Sequence, residues 1–413
     1  MANAWLFVRW QHLLWMKVRD KCMRDKYDII VVGGGPAGST AAKWAAMSGV
    51  AVALFEKDRE IGIPVRCAEA TAMDDLKKYV EVDENWFATI IDRVRFISPA
   101  GIPVEVHLPI KGVVLNRRIF DSDLAIQAAS AGAEIFTKAY VQSVEFNPRD
   151  YAKVRVKYIG EERIVKARIV IAADGIESRI ARFAGIRTQS ALQDVESCVQ
   201  ILAGNIQLPP NRIDIYVSER WAPGGYVWVF PKSSRSANIG LGVIGNKIKT
   251  ESPLQLLNKF LKEIYPDVVP VATIAGGVSV ACSLKTIARD GLLIVGDAAR
   301  QTNPVSGGGI LAALHSGKLA GEIAGQAIHK NDPTISTLKE YQLAWDKTVG
   351  KEYRRFYRIK EWIQTLPDEY FDEMANWLTK LKPDEVTLTK IFKLAVKNKP
   401  SLLLDVIKVF AGY

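Results

Sequence analysis

Tyr27-Asp28-Ile29-Ile30-Val31-Val32 is the first continuous apolar run, rich in β-branched residues, as a strand buried on both faces requires. A glycine-rich stretch follows at once. Residues 39–48, rich in alanine and closed by Gly49, predict a helix, and residues 50–55 predict a second buried strand. These three pieces make one βαβ unit. Residues 94–108, with Pro99-Ala100-Gly101 at their centre, predict a two-strand excursion. A helix is expected over 120–131, ended by Gly132, then strands over 140–146, 154–158 and 164–170. Ile169-Val170-Ile171-Ala172-Ala173 reads as a further buried strand that stops at Asp174-Gly175. From Cys198 to Val243 the strands lie closer together and alternate apolar with polar, which predicts an antiparallel sheet. A helix over 254–264, a buried strand over 292–295 and a helix over 310–329 follow. Beyond Asp332-Pro333 the texture becomes long helical stretches with few glycines, carrying Trp345, Tyr353, Phe356, Tyr357, Trp362, Phe371 and Trp377.

Composition narrows the classes open to such a chain. Its 413 residues are 48% hydrophobic, enough for two or three domains with a sizeable core. The net charge of +10 is diffuse, so it suits an anionic ligand or membrane surface and offers no basic arm for nucleic acid. The four cysteines, Cys22, Cys67, Cys198 and Cys282, form no C-x-x-C pair, so the expected compartment is reducing and cytoplasmic. The four histidines stand at no ligand spacing, so no metal is expected. No apolar run approaches the ~20 residues that span a bilayer. Residues 1–26 stand apart. Trp5, Trp10 and Trp15 lie among six basic and two acidic side chains, a composition that can rest on a membrane surface. The plainer reading is a leader without fold signal, or an over-long start, since Met16 and Met23 are both plausible starts.

The chemistry lies in two glycine loops. In Gly33-Gly34-Gly35-Pro36-Ala37-Gly38, Gly33 allows a tight turn, Gly35 lets backbone approach a pyrophosphate, and Gly38 lets helix pack on strand. The helix that follows offers its N-terminus to the phosphates, and Glu56 closes the next strand where a carboxylate accepts ribose hydroxyls. Gly240-Leu241-Gly242-Val243-Ile244-Gly245 has the same spacing but lies in a strand-like run with no helix after it, and so reads as sheet glycine. The second loop is Gly296-Asp297-Ala298-Ala299, running on into Asn303-Pro304-Val305-Ser306-Gly307-Gly308-Gly309. A nicotinamide domain needs only the first loop, whereas the longer FAD can be held from two. Asp174-Gly175 between them completes three fingerprints in order, and with them the chain resembles the flavoprotein superfamily of aromatic hydroxylases, squalene epoxidase, flavin halogenases and geranylgeranyl reductases.

Two stretches choose within that superfamily. Ile63-Pro64-Val65-Arg66-Cys67-Ala68-Glu69-Ala70 and Pro223-Gly224-Gly225-Tyr226-Val227-Trp228-Val229-Phe230-Pro231 resemble the P-x-x-C-G-[ED] and P-x-x-Y-x-W-x-F-P stretches of the geranylgeranyl reductase family. Halogenases carry a similar W-x-W-x-I-P, but Tyr226 and Phe230 favour the reductases. Ala68 departs from the pattern, since the family more often has glycine there, which would leave the backbone beside the flavin less permissive. The resemblance implies that Gly33, Gly35, Ala37, Gly38, Glu56, Cys67, Ala68, Ala70, Arg117, Val141, Asp297, Gly309 and Ile310 border the FAD, with Val141 at the adenine and Asp297 on the ribityl hydroxyls. It implies catalytic roles for Cys67, Tyr226 and Trp228. On pattern alone, Tyr226, Trp228 and Phe230 fall on one strand face, which is as often ordinary core as a ligand wall.

The expected fold is therefore α/β. A discontinuous Rossmann-like FAD-binding domain of glutathione reductase type takes 27–90, 112–190 and 275–330. An inserted antiparallel β-sheet substrate domain takes 91–111 and 191–274, and a C-terminal helical segment takes 331–413. The expected activity is FAD-dependent saturation of carbon–carbon double bonds in a polyprenyl chain on a lipid or diphosphate. Electrons would come from NAD(P)H or ferredoxin, and peripheral contact with the inner face of a membrane stays open. The alternatives are a flavin monooxygenase or halogenase of the same superfamily, and a flavin-binding protein without turnover.

Overall fold

The computed structural model describes residues 23–147, 150–382 and 386. Trp5, Trp10, Trp15 and Cys22 of the expected leader lie outside the described residues. Two eight-stranded sheets organise the rest. The first contains β1 (Lys26–Val32), β2 (Val52–Phe55), β6 (Glu134–Phe136), β7 (Ala139–Glu145), β8 (Ala152–Tyr158), β9 (Glu161–Ala172), β15 (Ala288–Arg289) and β16 (Leu292–Ile294). The second contains β3 (Ala70–Ala72), β4 (Phe87–Ile97), β5 (Pro103–Leu115), β10 (Val195–Gly204), β11 (Arg212–Tyr216), β12 (Tyr226–Ser233), β13 (Ser236–Ile244) and β14 (Val269–Ser279). The helices are α1 (Pro36–Ala46), α2 (Arg117–Ser130), α3 (Pro253–Ile264), α4 (Ile310–His329), α5 (Ile335–Trp345), α6 (Lys351–Ile363) and α7 (Asp368–Leu378).

The first sheet runs β15-β16-β9-β1-β2-β6, parallel from β16 to β6, with β7 and β8 added antiparallel beside β9. The two strands expected over 164–170 and 169–173 are one strand, β9. No turn residue interrupts it, so its first half pairs with β8 and its second half enters the parallel core beside β1. Ile29, Ile30, Ile169, Val170 and Leu293 are fully buried there, as the unbroken apolar runs require.

A seam of small residues joins the two glycine loops. Gly317, Gly321 and Gly325 recur one turn apart on α4 and press against Ala37, Ala41 and Ser48 of the first loop's helix and its end. A Cβ on Gly321 would lie 2.5 Å from the Ala41 carbonyl oxygen. Gly296, at φ +61°, would with a Cβ lie 2.8 Å from that of Ala37. The two loops, far apart in sequence, thus share one helix–helix contact.

The second sheet runs β14-β10-β13-β12-β11-β4-β5-β3. It is mixed rather than antiparallel, because β11 pairs parallel with β4. Strand β4 belongs to the earlier excursion and β11 to the later segment, so no hairpin dictates their direction. The excursion is also longer than 94–108. On one face, α3 buries Leu256, Leu257, Phe260 and Leu261 against Ile201, Ile239, Leu241 and Val229. Ser252 and Gln255 close a capping box at its start, ahead of Pro253. Full burial of Leu257 and Phe260 contributes roughly 1.5–3 kcal/mol each. The opposite face carries the candidate site.

The C-terminal helices dock on both sheets. Lys360 of α6 donates to Asp194 at 2.9 Å, as does Tyr357 at 3.0 Å. Asp372 of α7 accepts from Ser98 and Ala100 in the β4–β5 turn, while Ala375 and Leu378 pack on Val104.

Candidate flavin and substrate site

At the nucleotide end, β1 delivers Gly33 at φ +106°, and a Cβ on Gly38 would collide with the Gly33 carbonyl. Gly35 has nothing within 4 Å of where a Cβ would stand, so the space over the loop is free for a ligand to approach. No side chain caps α1, leaving its first N–H groups for an anion. Glu56 accepts from the N–H of Gly34 at 2.7 Å and of Asp58 at 2.8 Å, so its carboxylate is fixed at the end of β2 with acceptor capacity left over. The Val141 side chain is buried in the core of the first sheet, so only its backbone can border a ligand. Asp174 caps the short helix at 179–183 through the N–H groups of Arg179 and Ile180. Its second oxygen is buried without a hydrogen-bond partner.

At the other end, Cys67, Arg117, Asp297, Gly309 and Ile310 converge. Arg117 is half-buried and bidentate to Asp121, with both bonds at 2.6 Å. That pairing opposes desolvation and keeps the guanidinium charged. The charge of Arg117 reaches both Cys67 and Asp297. Burial still pushes the Cys67 thiol up, against the pull of Arg117, so it stays protonated at neutral pH. Asp297 is likewise pushed up by burial. Its carboxylate takes no hydrogen bond among the described residues and stands 3.2 Å from a Cβ on Gly309. Ile310 packs with Leu76, Trp86 and Phe120, and Cys67 lies against the same cluster. An open Gly35, an uncapped α1, a held Glu56 and an unpartnered Asp297 fit a long dinucleotide reaching from one loop to the other.

The loop after Cys67 is fastened to the second sheet. Glu69 accepts from Lys232 at 2.8 Å, from Asn238 at 2.7 Å and from the N–H of Arg117 at 2.8 Å. Gln200 donates to the Cys67 carbonyl at 3.1 Å and accepts from the Trp228 indole at 2.8 Å. The left-handed residue of this loop is Glu69, at φ +77°, not Ala68. Alanine at 68 therefore meets no left-handed strain.

Tyr226, Trp228 and Phe230 do share one face of β12. Trp228 stands opposite Gly240 and Ile215, and Ile215 opposite Phe96. A Cβ on Gly240 would lie 2.6 Å from the Trp228 ring, so the glycine repeat read as sheet glycine is what lets the indole lie across β13. Tyr226 and Trp228 meet edge to face at 5.9 Å. The Tyr226 hydroxyl donates to the Ser306 carbonyl at 2.6 Å, tying this wall to the second glycine loop. Ala68 and Ala70 border the same apolar cluster.

Glu69, Asp121, Glu196, Gln200, Lys232 and Asn238 were not singled out from sequence. Asp121 had a signal, one helical turn after Arg117, and Glu69 another, as the acidic position of the Cys67 stretch. The others face the site only through strand pairing.

Comparison with known proteins places these features. A model described as geranylgeranyl reductase catalytic domain matches residues 194–278, and one described as FAD dependent oxidoreductase matches residues 28–227. The chain is 38% identical to a digeranylgeranylglycerophospholipid reductase of Methanococcoides burtonii, over 94% of this chain and 97% of the relative. It is 40% identical to one of Methanosarcina mazei, over the same shares. A crystal structure of a geranylgeranyl bacteriochlorophyll reductase-like protein from Thermoplasma acidophilum superposes with TM-score 0.88 at 31% identity, covering 94% of this chain and all of that one. A flavin-dependent brominase superposes with TM-score 0.69 at 17% identity, over 91% of this chain and all of that one, a likeness of fold alone.

Proposed function

The chain belongs to the geranylgeranyl reductase family, and from that membership we propose that it is an FAD-dependent reductase saturating carbon–carbon double bonds in the geranylgeranyl chains of a lipid. Bound and reduced, FAD supplies a hydride. The observation that carries the reading is the convergence of the Cys67 loop and the second glycine loop on one aromatic sheet face, through Gln200 and Tyr226.

In this reading the residues divide the work. The first loop, α1 and Glu56 bind the adenine nucleotide half, and Asp297, with Gly309 behind it, takes the ribityl hydroxyls. Arg117 holds the Cys67 loop against the second loop. Trp228, Ile215 and Phe96 line the path of the prenyl chain and exclude water from the alkene. The faces of Tyr226 and Trp228 stabilise positive character at the alkene carbon that takes the hydride. Cys67 holds a proton beside them.

Electrons arrive from NAD(P)H or ferredoxin. No helix among the described residues is long and apolar enough to cross a membrane. The lipid is met at the surface, where Arg354 and Arg355 of α6 are exposed. The test is anaerobic: dithionite-reduced holoprotein should be reoxidised by digeranylgeranylglycerophospholipid and not by its saturated counterpart. Equal indifference to both would refute the reading, and an oxygenated product formed only once air is admitted would favour a monooxygenase.

A further inference from the structure

Addition of hydride to one alkene carbon leaves the other in need of a proton. Glu196 on β10 shares a strand face with Cys198 and Gln200, two and four residues on, and Gln200 holds both Trp228 and the Cys67 loop. The residue is only 7% exposed. Its carboxyl takes no hydrogen bond among the described residues, an unusual state for a buried acid. Glycines make room around it. A Cβ on Gly242 would lie 2.8 Å from its Oε2, one on Gly225 3.7 Å from Oε1, and one on Gly307 3.9 Å from Oε2. Gly225 and Gly242 flank Tyr226, and Gly307 belongs to the second glycine loop, so this carboxyl sits where the aromatic wall meets the flavin loop.

We propose that Glu196 is the acid that protonates the alkene, an inference that rests on the reductase reading above. The π pair of the alkene takes the carboxyl proton to form one C–H bond, and the hydride supplied by reduced FAD forms the other. Glu196 is left as carboxylate and regains its proton from water, while the alkene is reduced and the flavin oxidised.

Relative acidity favours Glu196 over its neighbours. Burial raises its pKa to about 7, opposed by the charge of Lys360 on α6. The Cys67 and Cys198 thiols are pushed above an ordinary value of 9.0. The Tyr226 hydroxyl is raised too, and its proton is engaged by Ser306. Glu196 is thus a stronger acid than any of these, and a pKa near the working pH is what an acid that must both give and regain a proton requires. Lys360 in turn donates to Asp194, which with Tyr357 lines a cavity of about 580 Å³.

Infrared titration of the FAD-loaded full chain reads the acid directly. A carboxylic acid band should vanish as pH rises through about 7, and Glu196→Gln should lack it. Single-turnover reduction of digeranylgeranylglycerophospholipid should slow over the same pH range. Glu196→Gln, loaded with flavin, should turn over about 10²–10⁴ times more slowly and lose that limb. A Gln variant with wild-type rate and limb, or no titrating band, would overturn the proposal. Should the variant not load flavin, the wild type decides. A rate that follows the band supports the proposal, and a rate constant through pH 7 sinks it. A wild type that never reduces the lipid sinks the reductase reading and this inference together.

Discussion

Glu69 carries a left-handed backbone that a side chain seldom adopts, and three hydrogen bonds hold it there. Lys232 and Asn238 lie 163 and 169 residues away, so nothing local in the sequence marks them. Cys67 and Arg117 were legible because motifs name them, while their supports appear only once strands pair. Glu69→Ala leaves the half-buried Lys232 without its carboxylate, and losing a hydrogen bond to a charged partner of this kind costs roughly 1.5–3 kcal/mol. Thermal melting of the holoprotein should fall accordingly, and an unchanged melting temperature would refute the pairing. Trp228 plays a different part. Trp228→Ala should lower turnover on prenyl lipid at least about tenfold through lost orientation, while the flavin-to-protein ratio stays near that of the wild type. Equal loss of bound flavin would show that the indole supports the cofactor site instead.

Elements with unbroken patterns were the most legible. The helix over 310–329 and the first βαβ unit follow from apolar runs, alanine and bounding glycines. The direction of β11 was not legible, because parallel pairing between distant segments leaves no turn signature. The α1–α4 seam was hidden for another reason. Glycine weakens an isolated helix, and Gly317, Gly321 and Gly325 gain a packing role only once the partner helix is seen against them. Gly321→Val should overpack that contact by roughly 1–3 kcal/mol and tilt the first glycine loop. The expected result is a lower flavin-to-protein ratio after purification together with earlier melting. Full flavin loading at the wild-type melting temperature would contradict the seam's role.

Across the whole molecule, two eight-stranded sheets are clasped by two loops and capped by C-terminal helices. The row from Trp228 through Ile215 to Phe96 ends at Val104, where α7 packs. Phe96 is 42% exposed on this row, an apolar surface beside the aromatic wall. Phe96→Asp should raise KM for a geranylgeranyl lipid about tenfold or more, and leave a short dimethylallyl substrate nearly unchanged. Equal effects on both would place the chain elsewhere. Saturation of prenyl double bonds shows in the mass of the product. Incubated anaerobically with excess dithionite and digeranylgeranylglycerophospholipid, the holoprotein should yield lipid heavier by two hydrogens for each bond reduced, with no added oxygen. Unchanged lipid beside flavin that stays reduced would contradict it.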